Sequence, residues 1–207
     1  MARLPREFYA QDTLEAARAL LGKVLVRRLE GGELLAGRVV ETEAYVGRCD
    51  KACHAYGYRR TARTETLFAP PGTAYIYLIY GMYHCLNFVT EPEGEPAAVL
   101  LRALEPVAGA ETMARLRYGD RPLTAYRRKN FLNGPGKVCR ALALTRAENG
   151  LDLTGDTLFL CERPEDIGLP PFPVPEGERI VTGPRIGVDY AEEARDFPWR
   201  FRLVREE

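Results

Sequence analysis

The sequence predicts a mixed α/β protein of the α+β kind, with a curved, mostly antiparallel sheet in one domain over residues 1–207. Three observations favour this fold. Apolar segments of strand length follow one another through short turns, which is typical of antiparallel strands. Helical periodicity occurs only between these segments, so helices are expected to surround the sheet. With 207 residues, of which 46% are hydrophobic, the chain can bury one sizeable core.

The predicted elements follow in chain order. Asp12 or Thr13 can cap a short helix over residues 14–21, which ends at Gly22. Residues 48–71 are polar and irregular. The remaining elements are strands over 23–29 and 34–46 joined by a turn at Gly31-Gly32, a hairpin over 73–90, a strand over 98–104, helices over 108–118 and 136–144, and strands over 158–161, 179–188 and 199–204.

The composition predicts a cytoplasmic protein without a membrane span. No run approaches ~18 apolar residues, and the N-terminal sequence has no apolar signal core. Five unevenly spaced cysteines are typical of reduced thiols rather than a disulfide framework. Cys49, Cys53, His54 and His84 could be read as a zinc set, but no second Cys or His pair lies at a usual distance, so no metal is expected.

The charges are balanced in number but unevenly distributed. Net charge is zero, which taken alone argues against a nucleic-acid partner. Residues 113–146, however, carry nine Arg or Lys and a single acid, Asp120, whereas residues 147–207 carry seven basic and fourteen acidic residues. One face of the protein is therefore predicted to be positive; two ordinary solvated faces are the alternative.

The long strand carries an acidic face. Because side chains alternate along a strand, Glu41, Glu43 and Tyr45 share one side. A carboxylate next to an aromatic ring could act as a general base beside a bound ring; alternatively, this is a solvated strand face. The opposite face is expected to be buried and carries Val40, Thr42, Ala44 and Val46.

The hairpin is rich in tyrosine. Tyr75 and Tyr77 lie on one strand, and strands favour tyrosine for its packing. That explanation does not cover Tyr80 and Met82 at the tip, where exposed apolar groups gain no burial. An apolar wedge on a tip is what proteins insert between base pairs.

Residues 133–137 (NGPGK) precede an apolar helical run. Glycines ahead of a helix leave backbone N–H groups free, and Lys137 adds charge, so this segment could bind one DNA phosphate. The spacing is not that of a P-loop, and ATP or GTP use is not indicated. A plain helix start is the alternative.

Taken together, these segments resemble the alkyladenine (3-methyladenine) DNA glycosylases. The resemblance rests on ETEAYVG, on His54 eleven residues after Glu43, and on PGTAYIYLIYGMYHCLNF, VLLRALEP and NGPGKVCRAL. It runs in order from about Pro5 to Val204. The resemblance implies a DNA-repair glycosylase that flips a damaged purine out of duplex DNA and hydrolyses its N-glycosidic bond without a cofactor. A monomer is the default expectation for a protein that scans DNA for lesions, and it is expected to associate with the nucleoid.

The resemblance also implies roles for individual residues. Glu43 matches the glutamate that activates water, and Arg102 matches the arginine that helps to hold it. The base pocket would be formed by Tyr45, His54, Tyr77 and Asn87, where the asparagine crowds the amine of guanine.

At the hairpin, Tyr80 matches the tyrosine that fills the gap in the duplex, with Met82 and Tyr83 beside it. Arg59 and Lys137 are expected to bind phosphates. Two alternatives stay open: a non-catalytic nucleic-acid-binding module of the same fold, and a hydrolase of free nucleosides.

Overall fold

The computed structural model describes residues 3–205, and the predicted α+β fold is confirmed. Within these residues the strands form one antiparallel sheet. They are β1 (Val24–Arg28), β2 (Leu34–Val46), β3 (Ala74–Ile79), β4 (Tyr83–Val89), β5 (Ala97–Ala108), β6 (Leu158–Cys161), β7 (Glu178–Gly183) and β8 (Arg200–Arg205). The helices are α1 (Arg6–Tyr9), α2 (Thr13–Ala19), α3 (Ala110–Tyr118), α4 (Ala125–Lys129) and α5 (Pro135–Ala141).

Strand β2 lies at the centre of the sheet. The order is β3-β4-β5-β2-β1-β6, and β8 pairs with both β2 and β7. The first part of β2 pairs with β1, and its later part, around Glu43, pairs with β8. Strand β5 pairs along the other edge of β2, with Leu100 opposite Glu43. Any side chain near Glu43 is therefore held by strands on both sides.

A register shift in β2 changes the predicted face. The pairing with β5 shifts between Val39 and Glu41, which is the signature of a β-bulge. As a result, Val39 joins Ala44 in the main core, while Val40, predicted on that face, is only half-buried. Thr42 remains on the core side, where its hydroxyl donates to the Ala17 carbonyl.

The helices cover one face of the sheet. Asp12 caps α2 by accepting from the backbone N–H groups of Leu14 and Glu15. Helices α2, α3 and α5 contribute apolar side chains to the main core, together with alternate residues of the strands. The opposite face carries a smaller cluster around Leu67, Phe68 and Tyr75, and it is on this side that the cavity described below opens.

Several predicted boundaries were wrong. Residues 108 and 109 do not begin a helix, because β5 runs on to Ala108 and α3 starts at Ala110. The helix predicted over 136–144 is α5, which ends at Ala141, three residues earlier than predicted. The strand predicted over 179–188 ends at Gly183, since Pro184 has no N–H to pair with, and a loop follows. The short helices α1 and α4 were not predicted.

Among the described residues, no helix is long and apolar enough to cross a membrane.

Candidate active site

Glu43 is a buried carboxylate in the middle of the sheet. Its exposed fraction is 0%. A buried charge is costly unless it is paired and hydrogen-bonded, and three donors converge on this one. The Tyr45 hydroxyl donates to Oε2 at 2.8 Å, Arg102 donates to the same oxygen at 3.2 Å, and the Ile186 backbone N–H donates to Oε1 at 2.8 Å. All three are donors, which matches a carboxylate acting as acceptor.

Arg102 joins the two glutamates of this strand face. Besides Glu43, its Nε lies 3.4 Å from Glu41 Oε1. Glu41 also accepts from Arg200 on β8. The predicted sharing of one face by Glu41 and Glu43 therefore has a structural counterpart, but the face is covered by protein rather than solvated.

A cavity of about 180 Å³ lies directly against this group. Tyr45, Arg102 and Ile186, which all hydrogen-bond to Glu43, line it, while the Glu43 carboxylate lies behind this wall. The volume is below the ~300 Å³ of drug-sized pockets, so the cavity suits a single small ring compound. The other residues of the predicted base pocket, His54, Tyr77 and Asn87, line the same cavity.

Three aromatic rings form one wall. The His54 and Tyr77 rings meet edge to face with centroids 4.6 Å apart, and Tyr75 lies 5.4 Å from Tyr77. His54 Nδ1 is 3.0 Å from the Tyr75 hydroxyl. Burial, together with the nearby Arg63 guanidinium, lowers the pKa of His54 to about 4. The histidine is therefore neutral at pH 7 and presents an uncharged ring to the cavity.

Asn87 is fixed by the hairpin backbone. Its amide Nδ2 donates to the carbonyls of Tyr75 at 3.1 Å and Cys85 at 3.3 Å. The side chain is 4% exposed. An amide held by two backbone partners has one orientation, so this part of the cavity wall has a fixed shape and polarity.

Behind Tyr45 lies a buried ion pair that sequence reasoning missed. Both terminal nitrogens of the Arg185 guanidinium donate to the Asp50 carboxylate, and both side chains are fully enclosed. Arg185 also donates to the Ala44 carbonyl at 2.8 Å and lies over the Tyr45 ring, 4.7 Å from its centroid. The pair thus ties the loop after β2 to the loop that supplies the Ile186 N–H.

No short-range pattern identifies this pair, because 135 residues separate its members. Pro184 was the available signal, since a proline ends a strand and marks the start of a loop. Tyr75, Ile186 and Tyr190 also line the cavity without having been assigned to it.

The hairpin tip differs from the cavity wall. Tyr80 is 81% exposed and Met82 67%. Tyr80 and Gly81 both have positive φ, and the Met82 N–H donates to the Ile79 carbonyl, which together indicate a tight hairpin turn. Tyr83, at the base of the tip, packs against Gly136, where a Cβ atom would come within 2.9 Å of its ring. Glycine at 136 therefore lets α5 support the hairpin.

Cationic side chains line two cavities that adjoin the first. Tyr80 and Arg102 form a shared wall with a cavity of about 470 Å³ that Arg117, Lys137 and Arg140 also line. Lys137 donates to Asn133 Oδ1 at 2.7 Å and to Asn130 Oδ1 at 3.4 Å. Burial and the charge of Arg117 lower the pKa of Lys137.

On the other side, His54 and Tyr190 are shared with a cavity of about 310 Å³ that includes Arg59 and Arg63. Arg59 is exposed. Both predicted phosphate contacts, Arg59 and Lys137, thus lie next to the aromatic cavity, at different walls.

The described part of the chain contains no group of three His, Cys, Asp or Glu side chains arranged to hold a metal ion. Cys49 is exposed and Cys53 is buried.

Comparison with known proteins assigns the chain to a family. Three relatives carry the name "Putative 3-methyladenine DNA glycosylase". The protein from Clostridium perfringens (strain SM101) is 51% identical over 97% of this chain and 95% of its own length. The Bacillus cytotoxicus protein is 52% identical over 96% and 95%, and the Bacillus mycoides protein 51% over 95% and 94%. Residues 7–207 match the family model described as methylpurine-DNA glycosylase (MPG), and the chain belongs to this DNA-repair family.

Proposed function

We propose that this protein removes alkylated or deaminated purines from duplex DNA by hydrolysing the N-glycosidic bond and leaves an abasic site. The substrates would be 3-methyladenine, 7-methylguanine, hypoxanthine and ethenoadenine. One observation carries the proposal: a buried carboxylate, Glu43, bonded to three groups that line an aromatic cavity of single-ring-system size. The names of the relatives support the same reaction.

In the proposed reaction Glu43 acts as general base. A water admitted through the wall between the bound base and Arg102 would give its proton to the carboxylate, which lies directly behind that wall, as the water oxygen attacks the sugar carbon C1′. Arg102 would hold this water and keep Glu43 in place. Among the described residues that line the cavity there is no lysine, which favours direct attack by water over a Schiff base and a lyase step.

The aromatic wall would hold the flipped base. Flipping costs a few kcal/mol, least for damaged pairs, and stacking on an aromatic ring returns about 1–3 kcal/mol per base. Tyr45, His54 and Tyr77 would supply these rings. A purine alkylated on a ring nitrogen is cationic and gains a further cation–π attraction of about 0.5–2 kcal/mol. Asn87 would disfavour guanine by crowding its exocyclic amine.

The hairpin tip would keep the duplex open. An exposed Tyr80, with Met82 and Tyr83 beside it, can enter the minor groove and occupy the space of the extruded base. Arg59 and Lys137 would bind phosphates on the two sides of the cavity. We further propose that the protein is a monomer with a single catalytic domain. It would act in the cytoplasm, on the DNA of the nucleoid.

The test replaces one carboxylate oxygen of Glu43, the proposed general base. Glu43→Gln keeps the size of the side chain but cannot accept a proton, so we expect single-turnover excision to fall roughly 10²- to 10⁴-fold. Binding to a lesion duplex should persist. Glu105→Gln is the matched control, because Glu105 lies on β5 outside the cavity and pairs with Arg38 and Arg205.

Excision by Glu43→Gln near the wild-type rate would remove Glu43 from this role. If the wild-type protein released no free base from methylated DNA yet bound it, a non-catalytic binding module would be the better description. Release from free nucleosides alone would instead indicate a nucleoside hydrolase.

A further inference from the structure

Three side chains form a hydrogen-bonded chain along one wall of the base cavity. Arg63 lies 3.3 Å from His54 Nε2, and His54 Nδ1 lies 3.0 Å from the Tyr75 hydroxyl. The Arg63 guanidinium also lies over the Tyr77 ring at 5.4 Å. Arg63 is exposed, whereas Tyr75 is 3% exposed and lines the cavity. This series of hydrogen bonds therefore runs from solvent to the cavity wall.

Elementary chemistry fixes which atom donates and which accepts in each of these hydrogen bonds. A guanidinium can only donate, so Nε2 of His54 must accept from Arg63. Neutral histidine carries one hydrogen, which must then be on Nδ1, and Nδ1 donates to the Tyr75 oxygen. The Tyr75 oxygen is thereby used as an acceptor, and its own hydrogen remains available to another acceptor. Burial raises the pKa of Tyr75 to about 12, so the hydroxyl keeps this hydrogen at pH 7.

The two classes of proposed substrate need this hydrogen to different extents. A purine alkylated on a ring nitrogen is cationic and leaves as a neutral molecule when it takes the electrons of the glycosidic bond. A neutral purine such as hypoxanthine leaves as an anion under the same conditions. A donor aimed at the base therefore stabilises the departure of neutral lesions far more than that of cationic ones.

We propose that Tyr75 donates a hydrogen bond to the departing neutral purine, and that Arg63 acts through His54 as a positioning residue that keeps Tyr75 a donor. This inference rests on the proposed glycosylase function and adds a residue that selects between substrate classes.

The proposed step balances without a further reactant. The C1′–N9 bond breaks and its electron pair goes to the base, while the water oxygen bonds to C1′ and the water proton goes to Glu43. The Tyr75 hydrogen stays on its oxygen and is shared with a ring nitrogen or the carbonyl oxygen of the base. No oxidant or metal is needed.

The experiment compares two duplexes, one with hypoxanthine and one with 7-methylguanine, in single-turnover excision. Tyr75→Phe should lower the hypoxanthine rate about 10- to 100-fold more than the 7-methylguanine rate, the range of one hydrogen bond to a charged group. The matched control is Tyr9→Phe, which removes a tyrosine hydroxyl that is buried in the main core away from the cavity. Both rates should stay within about twofold of wild type in the control.

The outcomes separate the two proposals. If wild-type protein releases neither base, the glycosylase function fails. If wild type releases both and Tyr75→Phe lowers both rates equally, the function stands and the role of Tyr75 is overturned.

A second variant covers the case in which Tyr75→Phe does not fold. Arg63→Gln changes an exposed side chain and should lower the ratio of hypoxanthine to 7-methylguanine excision at least threefold; an unchanged ratio overturns the inference. The chain has two histidines, so nitrogen NMR can assign His54 by comparison with His84. We expect Nδ1 protonated in wild type and a mixture of tautomers in Arg63→Gln, and Nε2 protonated in wild type would contradict the proposed hydrogen-bond direction.

Discussion

A buried polar group behind the cavity wall (Glu43, Asp50 and Arg185), here termed the inner end, and the hairpin tip lie in the same part of the molecule but are built in opposite ways. At the inner end, Glu43, Asp50 and Arg185 are polar, and their exposed fractions are 0–5%. At the tip, Tyr80 and Met82 are apolar, and their exposed fractions are 81% and 67%. Ordinary folding would place these chemistries the other way round.

Each exception has a different cost. At the inner end, the charges must be fully paired, because an unpaired buried charge destabilises the fold. At the tip, apolar surface stays in water and contributes nothing to the fold, so its value depends on a partner. The inner end should therefore respond to substitution through stability and chemistry, and the tip through DNA binding only.

The largest expected effect is on the buried ion pair. Asp50→Ala leaves Arg185 charged and unpaired among buried atoms, and we expect the free energy of unfolding to fall by about 3–5 kcal/mol. For a chain of this size, roughly 10 °C of melting temperature would be lost. Thermal unfolding followed by circular dichroism measures this.

Lys51→Ala is the matched control for that variant. Lys51 joins the same two loops through Glu192 and Glu193, but this ion pair is at the surface. Surface pairs contribute little to stability, so the melting temperature should barely change. Equal losses in both variants would contradict the distinction between the buried and exposed groups.

The next effect is at the tip. Tyr80→Ser removes the exposed ring and should shift the flipping equilibrium by roughly 1–3 kcal/mol against the extruded base, without changing thermal stability. Tyr80→Phe keeps the ring and should behave like wild type. The fluorescence of ethenoadenine in a duplex reports flipping. An unchanged signal with Tyr80→Ser would contradict the proposal that Tyr80 occupies the space of the extruded base.

The smallest effect concerns the phosphate contacts. Lys137→Ala should reduce the slope of log affinity against log salt by about 0.9, the value for one phosphate, whatever the sequence of the duplex. Lys23→Ala is the control, because Lys23 is engaged by Glu162 outside the cavities. Identical slopes for Lys137→Ala and wild type would contradict the proposed contact between Lys137 and a phosphate.

Local patterns predicted the parts of the site that lie on strands. Alternation along β2 placed Glu43 and Tyr45 on the same side, and in the structure they share a hydrogen bond. The order of tyrosines and glycine in residues 73–90 indicated the hairpin, which β3 and β4 form. Period and turn chemistry act within a few residues, and they are visible in a sequence.

Contacts between distant loops could not be predicted in this way. The Asp50–Arg185 pair and the Ile186 N–H depend on a loop 143 residues from Glu43 that the periodicity assigned to a strand. The acidic face was therefore open to interpretation as solvated, because the segment that covers it was not recognised. The bulge that moves Val40 out of the core is a similar case, since it appears only when β2 pairs with β5.

The contact between Ile186 and Glu43 has a consequence for how such an enzyme can change. Position 186 supplies its hydrogen bond from the main chain, so any residue other than proline could provide it. Its side chain, 49% exposed, lines the aromatic cavity. In the proposed reaction, variation at this one position would reshape the room available to a lesion while Glu43 keeps its orientation, so the range of accepted bases would diverge among relatives without loss of the reaction.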